Sequence, residues 1–357
     1  VRFGIAIKLT PLPVIPIDGL LGLAYRELAC QPSCTDPIFD ALLDTKQIKH
    51  DIFSVCMETA TGGALTLGGM DMTVRRHNLK VDWVPMIDNN PKNFYAVQLT
   101  GELKIGEKTF MFPKDLNLSI VDSGTTTLLV TKLVFDTFRE TVFGEKGLCK
   151  RVRGLCDPKD PFSKESIEKS WFNPFNCAFG LTIDEVRLLP DLEFVIAAGP
   201  KKEFRLKVPA TTYMIGTDFY NMNGVNIVPR DKGKPDEMGN VGYCLGVYAM
   251  PEVQWGTNIG VIFGNTIMSD KYITIYDREN NRMGFADMVG HKCHYDAEAN
   301  SQGLDYHSPG EEPTASEGHG GRVKFLIAIA VILAIAGAAL LAWRVFYHSP
   351  SGYSQIQ

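Results

Sequence analysis

Upstream of residue 297, apolar side chains fall in short runs that alternate with polar ones or carry β-branched and aromatic residues, and glycines punctuate the runs. Residues 94–104 (FYAVQLTGELK) and 271–276 (KYITIY) read as strands, because a period of two places one set of side chains on a single buried face. Residues 277–282 (DRENNR) bring Asp and Asn together before MGFA at 283–286, which predicts a turn joining two antiparallel strands. Three- and four-residue apolar spacing is rarer. Residues 37–43 (PIFDALL) and 132–143 (KLVFDTFRETVF) predict short helices packed against the sheets. The pattern as a whole predicts an all-β fold built of hairpins.

The C-terminal end follows a different pattern. Residues 325–343 (FLIAIAVILAIAGAALLAW) run for nineteen positions without a charge. At about 1.5 Å per residue they cover nearly the ~30 Å hydrocarbon layer, which predicts one transmembrane helix over 323–344. Residues 297–322 have almost nothing apolar to bury and read as a disordered stalk, leaving 345–357 as a cytoplasmic tail. Within that tail, residues 353–356 (YSQI) match the Tyr-x-x-apolar shape of endosomal sorting signals; a chance match of four residues is the competing reading.

Composition narrows the classes. Among 357 residues, 41 acidic side chains outnumber 36 basic ones for a formal charge of −5, and no basic block interrupts the balance, which argues against a nucleic-acid partner. Eight cysteines, at 30, 34, 56, 149, 156, 177, 244 and 293, suit an oxidising compartment and put the large N-terminal part on the lumenal side of the predicted anchor. A zinc site using Cys30 and Cys34, or the HKCH run at 291–294, is the alternative, although the second half of a tetrahedral shell is absent from the pattern. No Gly-x-Ser-x-Gly or similar nucleophile pattern accompanies the histidines, so serine and cysteine hydrolysis are set aside.

Candidate chemistry centres on residues 119–129 (SIVDSGTTTLL). An apolar strand ends at one carboxylate, Asp122, and Ser123, Gly124, Thr125 and Thr126 follow at once. Glycine lets backbone approach the acid, and the hydroxyls can donate hydrogen bonds that hold a carboxylate ionised and fixed. A plain turn after a strand fits the same residues. The second segment is 261–286, which opens apolar-apolar-Gly at Ile262, Phe263 and Gly264 and continues through a strand, DRENNR and a closing strand.

Together these segments resemble the pepsin-like aspartic proteases, in which an Asp-Thr/Ser-Gly-Thr/Ser loop passes under an apolar-apolar-Gly segment once in each of two lobes. IDGLLGLAY at 17–25 looks like the N-terminal lobe's own apolar-apolar-Gly element, so the resemblance spans about residues 1–296. Within the family it is strongest toward membrane-anchored beta-secretases, through VRFGIA at 1–6, GLLGLAYRELA at 19–29, the Cys after Phe53-Ser54-Val55, and GFA followed by Cys293-His294. Two positions depart from the pattern: Asn265 follows Gly264 where pepsins usually have Asp, and Leu129 stands where beta-secretases place a basic residue.

The resemblance implies a bilobal fold, with residues 1–88 as the remainder of the N-terminal lobe and 89–296 as the C-terminal lobe. It implies that Asp122 is the second catalytic aspartate and that Thr125 braces the pair, with Ser123, Gly124 and Thr126 supporting the site. The first acid loop and the flap hairpin are then expected ahead of Val1. It further implies disulfides Cys177–Cys244 and Cys56–Cys293, leaving Cys30–Cys34 and Cys149–Cys156 as loop staples. The implied activity is membrane-anchored endopeptidase action on protein or peptide substrates, by a monomer, without metal or cofactor. The implied topology is single-pass type I, in Golgi, endosome or plasma membrane. A catalytically silent peptide-binding protein of the same fold is the alternative.

Overall fold

The computed structural model describes residues 20–30, 33–58, 62–87, 93–143, 177–179, 181–217, 227–228, 242–250, 258–290 and 293. The expected stalk, membrane helix and tail, and the Cys149–Cys156 pair, lie outside these residues. Among the described residues no helix is long and apolar enough to cross a membrane.

The described residues form three sheets. The first runs in the order Gly62–Leu67 (β2), Ile52–Glu58 (β1), Tyr272–Asp277 (β16), Arg282–Asp287 (β17), Val81–Pro85 (β3). Every residue of β1 is buried, because this strand is covered on both sides. Phe53, Val55 and Met57 point into the main core, while Ile52 and Cys56 point into a second cluster with Val74, Ile273, Ile275 and Ala286.

The second sheet has eight strands. Its order is Lys202–Val208 (β10), Leu192–Gly199 (β9), Ala96–Ile105 (β4), Leu118–Val121 (β6), Ile259–Phe263 (β15), Leu128–Val130 (β7) and Val247–Ala249 (β14), with Lys108–Met111 (β5) paired to β4. The third holds Met214–Thr217 (β11), Gly242–Leu245 (β13), Cys177–Phe179 (β8) and Ile227–Val228 (β12). Helix content is small, as the scarcity of helical spacing predicts. Ile38–Asp44 covers the first predicted helix and Lys132–Phe143 the second.

The DRENNR turn forms around a buried acid. Asp277 is fully buried; its carboxylate accepts from the Asn280 backbone and side chain at 3.0 Å and from Arg282 Nε at 2.6 Å. Arg278 leaves the same turn in the opposite direction, pairs with Asp40 at 2.6 Å and Asp51 at 3.0 Å, and lies over the rings of Tyr25 and Phe39. The hairpin thereby ties the 38–51 region to the C-terminal strands. Cys56–Cys293 adds a covalent tie across the same sheet, and Cys30–Cys34 and Cys177–Cys244 are also bonded. With Cys30, Cys34 and Cys293 all in disulfides, the thiolates of the zinc alternative are not free to ligate a metal.

Candidate active site

Asp122 lies one residue past the end of β6, and the topology around it is crossed. β15 pairs parallel with β6 through Ile262↔Ile120 and Phe263↔Val121, and antiparallel with β7 through Ile262↔Leu129. One strand is therefore inserted between the two that flank the 122–127 loop, and the loop must pass over its end. Gly264 occupies that end. A Cβ there would lie 2.3 Å from both the Thr125 and the Thr127 carbonyl oxygens, so only glycine fits beneath the loop.

Backbone bonds lock the crossing. The Asp122 N–H donates to Phe263 O at 2.9 Å, Asn265 N–H to Thr125 O at 2.8 Å, and Thr266 N–H to Thr126 O at 3.2 Å. The Thr266 hydroxyl donates to Gly246 O at 3.0 Å and to Thr126 O at 3.3 Å, stitching the loop to the segment before β14.

Both carboxylate oxygens are then assigned. Oδ1 accepts the Gly124 N–H at 2.8 Å, and Oδ2 accepts the Thr125 hydroxyl at 2.6 Å. A carboxylate oxygen has two lone-pair sites, so each keeps one for a further donor while the two bonds fix its plane. A Cβ on Gly124 would sit 3.1 Å from Oδ1, which keeps that position small. Asp122 is half-buried, with Ser123 and Gly124 exposed beside it, so the carboxyl group faces open space rather than the core. Such a group can accept a proton from, or donate one to, a molecule arriving from solvent.

Of the sequence-predicted site residues, Asp122, Gly124 and Thr125 are joined directly by hydrogen bonds. Thr126 is buried and contributes its carbonyl to the brace, and Ser123 stands at the exposed tip. Leu129 pairs with Ile262 and Tyr248 across the sheet and packs on the core. Thr266 and Gly246, which hold the loop from below, left no mark in the sequence pattern, and neither did the sheet under the acid. The Val121 N–H donates to Tyr95 O at 2.9 Å, and the Tyr95 ring contacts that of Tyr276 at 4.8 Å. Tyr276 in turn stacks on Phe53 at 4.4 Å. Burial, and then the charge of Asp122, push the Tyr276 phenol well above its ordinary value. Nothing local marks Tyr276, whose partners lie far away along the chain.

A family model of the eukaryotic aspartyl proteases matches residues 5–288. The chain is similar to cathepsin E of Aquarana catesbeiana, 24% identical over 76% of this chain and 53% of that one. It is 24% identical to pepsin-2B of Gadus morhua over 76% of this chain and 64% of that one. To beta-secretase of Strongylocentrotus purpuratus it is 24% identical over 75% of this chain and 47% of that one. The chain thus spans about half to two thirds of these relatives. With its mostly-β sheets, its disulfides and an Asp-Ser-Gly-Thr loop crossed over an apolar-apolar-Gly strand, the chain belongs to the pepsin-like, eukaryotic aspartyl protease family.

Proposed function

We propose that Asp122 is one of two facing carboxylates of an aspartic endopeptidase that is tethered to a membrane through residues 323–344. The observation that carries this reading is the carboxyl group held by Gly124 N–H and Thr125 Oγ1 at the mouth of the crossed loop. Two facing acids cannot both ionise cheaply, so the pair keeps one proton over a range of acidic pH. The ionised member takes a proton from a water as that water attacks the peptide carbonyl, and the protonated member hydrogen-bonds to the developing oxyanion. This chemistry calls on no cofactor. The facing acid is the one that the family pattern supplies from the N-terminal lobe.

The three disulfides and the pepsin-like relatives support a lumenal protease domain, residues 89–296 forming its C-terminal lobe, with membrane-proximal proteins or peptides as substrates. The proposed chain is a monomer with type I topology. The test is hydrolysis of an unfolded protein by the full-length protein across pH. Acid-dependent cleavage that a statine-type inhibitor blocks is expected. Tight inhibitor or peptide binding with no hydrolysis at any pH would replace the enzyme by a peptide-holding protein.

A further inference from the structure

We propose that Asn117 carries an N-linked oligosaccharide, transferred while the chain is still unfolded in the lumen. The modification goes beyond the proteolytic reading and rests only on the lumenal placement given above. Asn117, Leu118 and Ser119 form the acceptor tripeptide Asn-x-Ser with x other than proline, and no second Asn-x-Ser/Thr occurs in the 357 residues. A bare tripeptide is a weak signal. Two features of the fold give it weight.

The first is the place of Asn117. It follows a turn in which the Leu116 N–H donates to Pro113 O at 2.9 Å, with Lys114 and Asp115 exposed at the tip. Asn117 itself is half-buried, and its backbone is anchored: Leu99 N–H donates to Asn117 O at 2.7 Å, and the next N–H, of Leu118, donates to Asn258 O at 3.1 Å. Neither bond uses the side-chain amide, so the nitrogen that would bear the sugar is not spent on them. β6 then runs away from the site. Five residues at about 3.4 Å each put Asn117 roughly 17 Å from Asp122, and an oligosaccharide there leaves the mouth of the acid loop open.

The second is Ser119. Its side chain is fully buried in β6, and its hydroxyl meets no hydrogen-bond partner among the described residues. A buried hydroxyl without a partner destabilises a fold, and alanine would pack in the same space. Ser54 and Thr126 also bury such oxygens, but only Ser119 completes an acceptor tripeptide. Full burial also fixes the order of events, because a transferase can read that hydroxyl only before β6 enters the sheet between β4 and β15. In the transfer, Asn117 Nδ2 displaces a lipid pyrophosphate from the anomeric carbon of the donor oligosaccharide. The N–C bond forms, the C–O bond breaks with its electron pair going to the pyrophosphate, and the nitrogen loses one proton.

The test is mass spectrometry on the full-length protein made in eukaryotic cells. Trypsin releases residues 115–132, in which Asn117 is the one asparagine, and an N-glycan amidase acting in heavy-oxygen water is expected to convert it to a labelled aspartate. Asn117→Gln and Ser119→Ala should each abolish the glycan, the second while leaving the acceptor asparagine in place; a glycan that survives Ser119→Ala overturns the inference. The wild-type peptide decides the matter even where a variant fails to fold. An unmodified 115–132 peptide from protein whose Cys56–Cys293 bond is intact overturns the inference and leaves the lumenal placement standing. The same peptide unmodified, with Cys56 and Cys293 as free thiols, overturns the lumenal placement as well.

Discussion

Gly264→Ala puts one methyl group where the acid loop crosses β15. Its Cβ would stand 2.3 Å from two carbonyl oxygens, about 1 Å inside ordinary contact, and the oxygens lie on separate residues, Thr125 and Thr127. Neither can withdraw easily. Thr125 O holds Asn265 N–H at 2.8 Å, and Leu128, next to Thr127, is pinned to Gly246 O at 2.8 Å. Overpacking a well-filled core costs about 1–3 kcal/mol per site, and two clashes against backbone put this change near 4 kcal/mol. That is a large part of the ordinary stability of a domain and corresponds to a fall in Tm of about 10 °C. The assay is thermal unfolding followed by circular dichroism, with Gly69→Ala as control, since a Cβ at Gly69 meets nothing within 4 Å. A Gly264→Ala protein melting within about 2 °C of wild type would refute the crossed-loop geometry.

Three further outcomes are expected. Thr266→Val keeps the shape but removes the hydroxyl that donates to Gly246 O and Thr126 O, each of which keeps a backbone N–H, and chemical denaturation should register a loss of about 0.5–1.5 kcal/mol. Cys56→Ser with Cys293→Ser opens a loop of sequence separation 237, for which chain entropy alone gives about 5 kcal/mol, measured as a lowered denaturation midpoint. Asp51 has its carboxyl raised by burial, against the pull of Arg278. The folded state therefore binds that proton more tightly than the unfolded chain, and the stability it contributes is present at low pH and lost as pH rises past the usual carboxylate value near 3.8. Asp51→Asn should remove this contribution, so that Tm falls less as pH rises above the usual carboxylate value, and an unchanged slope would contradict this.

What was legible in the chain was local. The turn at 277–282 announces itself because Asp and Asn satisfy their own neighbours' N–H groups, as Asp277 does for Asn280. The helix Lys132–Phe143 shows in its apolar spacing, and Asp122 in the polar residues that end an apolar strand. What escaped was long-range. Period two marks residues 271–276 as a strand, but nothing in it names 52–58 as the neighbour, nor predicts that both faces of β1 are covered. Arg278 reads as one more turn charge until Asp40 and Asp51 are brought to it by the sheet. Thr266 carries no signal of its own, because its bonding partners arrive only when β15 slides between β6 and β7.

The central claim is that Asp122 does the chemistry rather than ending a strand. Cleavage by the full-length protein with Asp122→Asn, at matched concentration and with folding checked by near-ultraviolet circular dichroism, tests it most directly. The account predicts a folded variant, still able to bind a statine-type inhibitor weakly, whose peptide hydrolysis falls by at least about a thousandfold. A folded variant that cleaves peptide at a rate near wild type would contradict it.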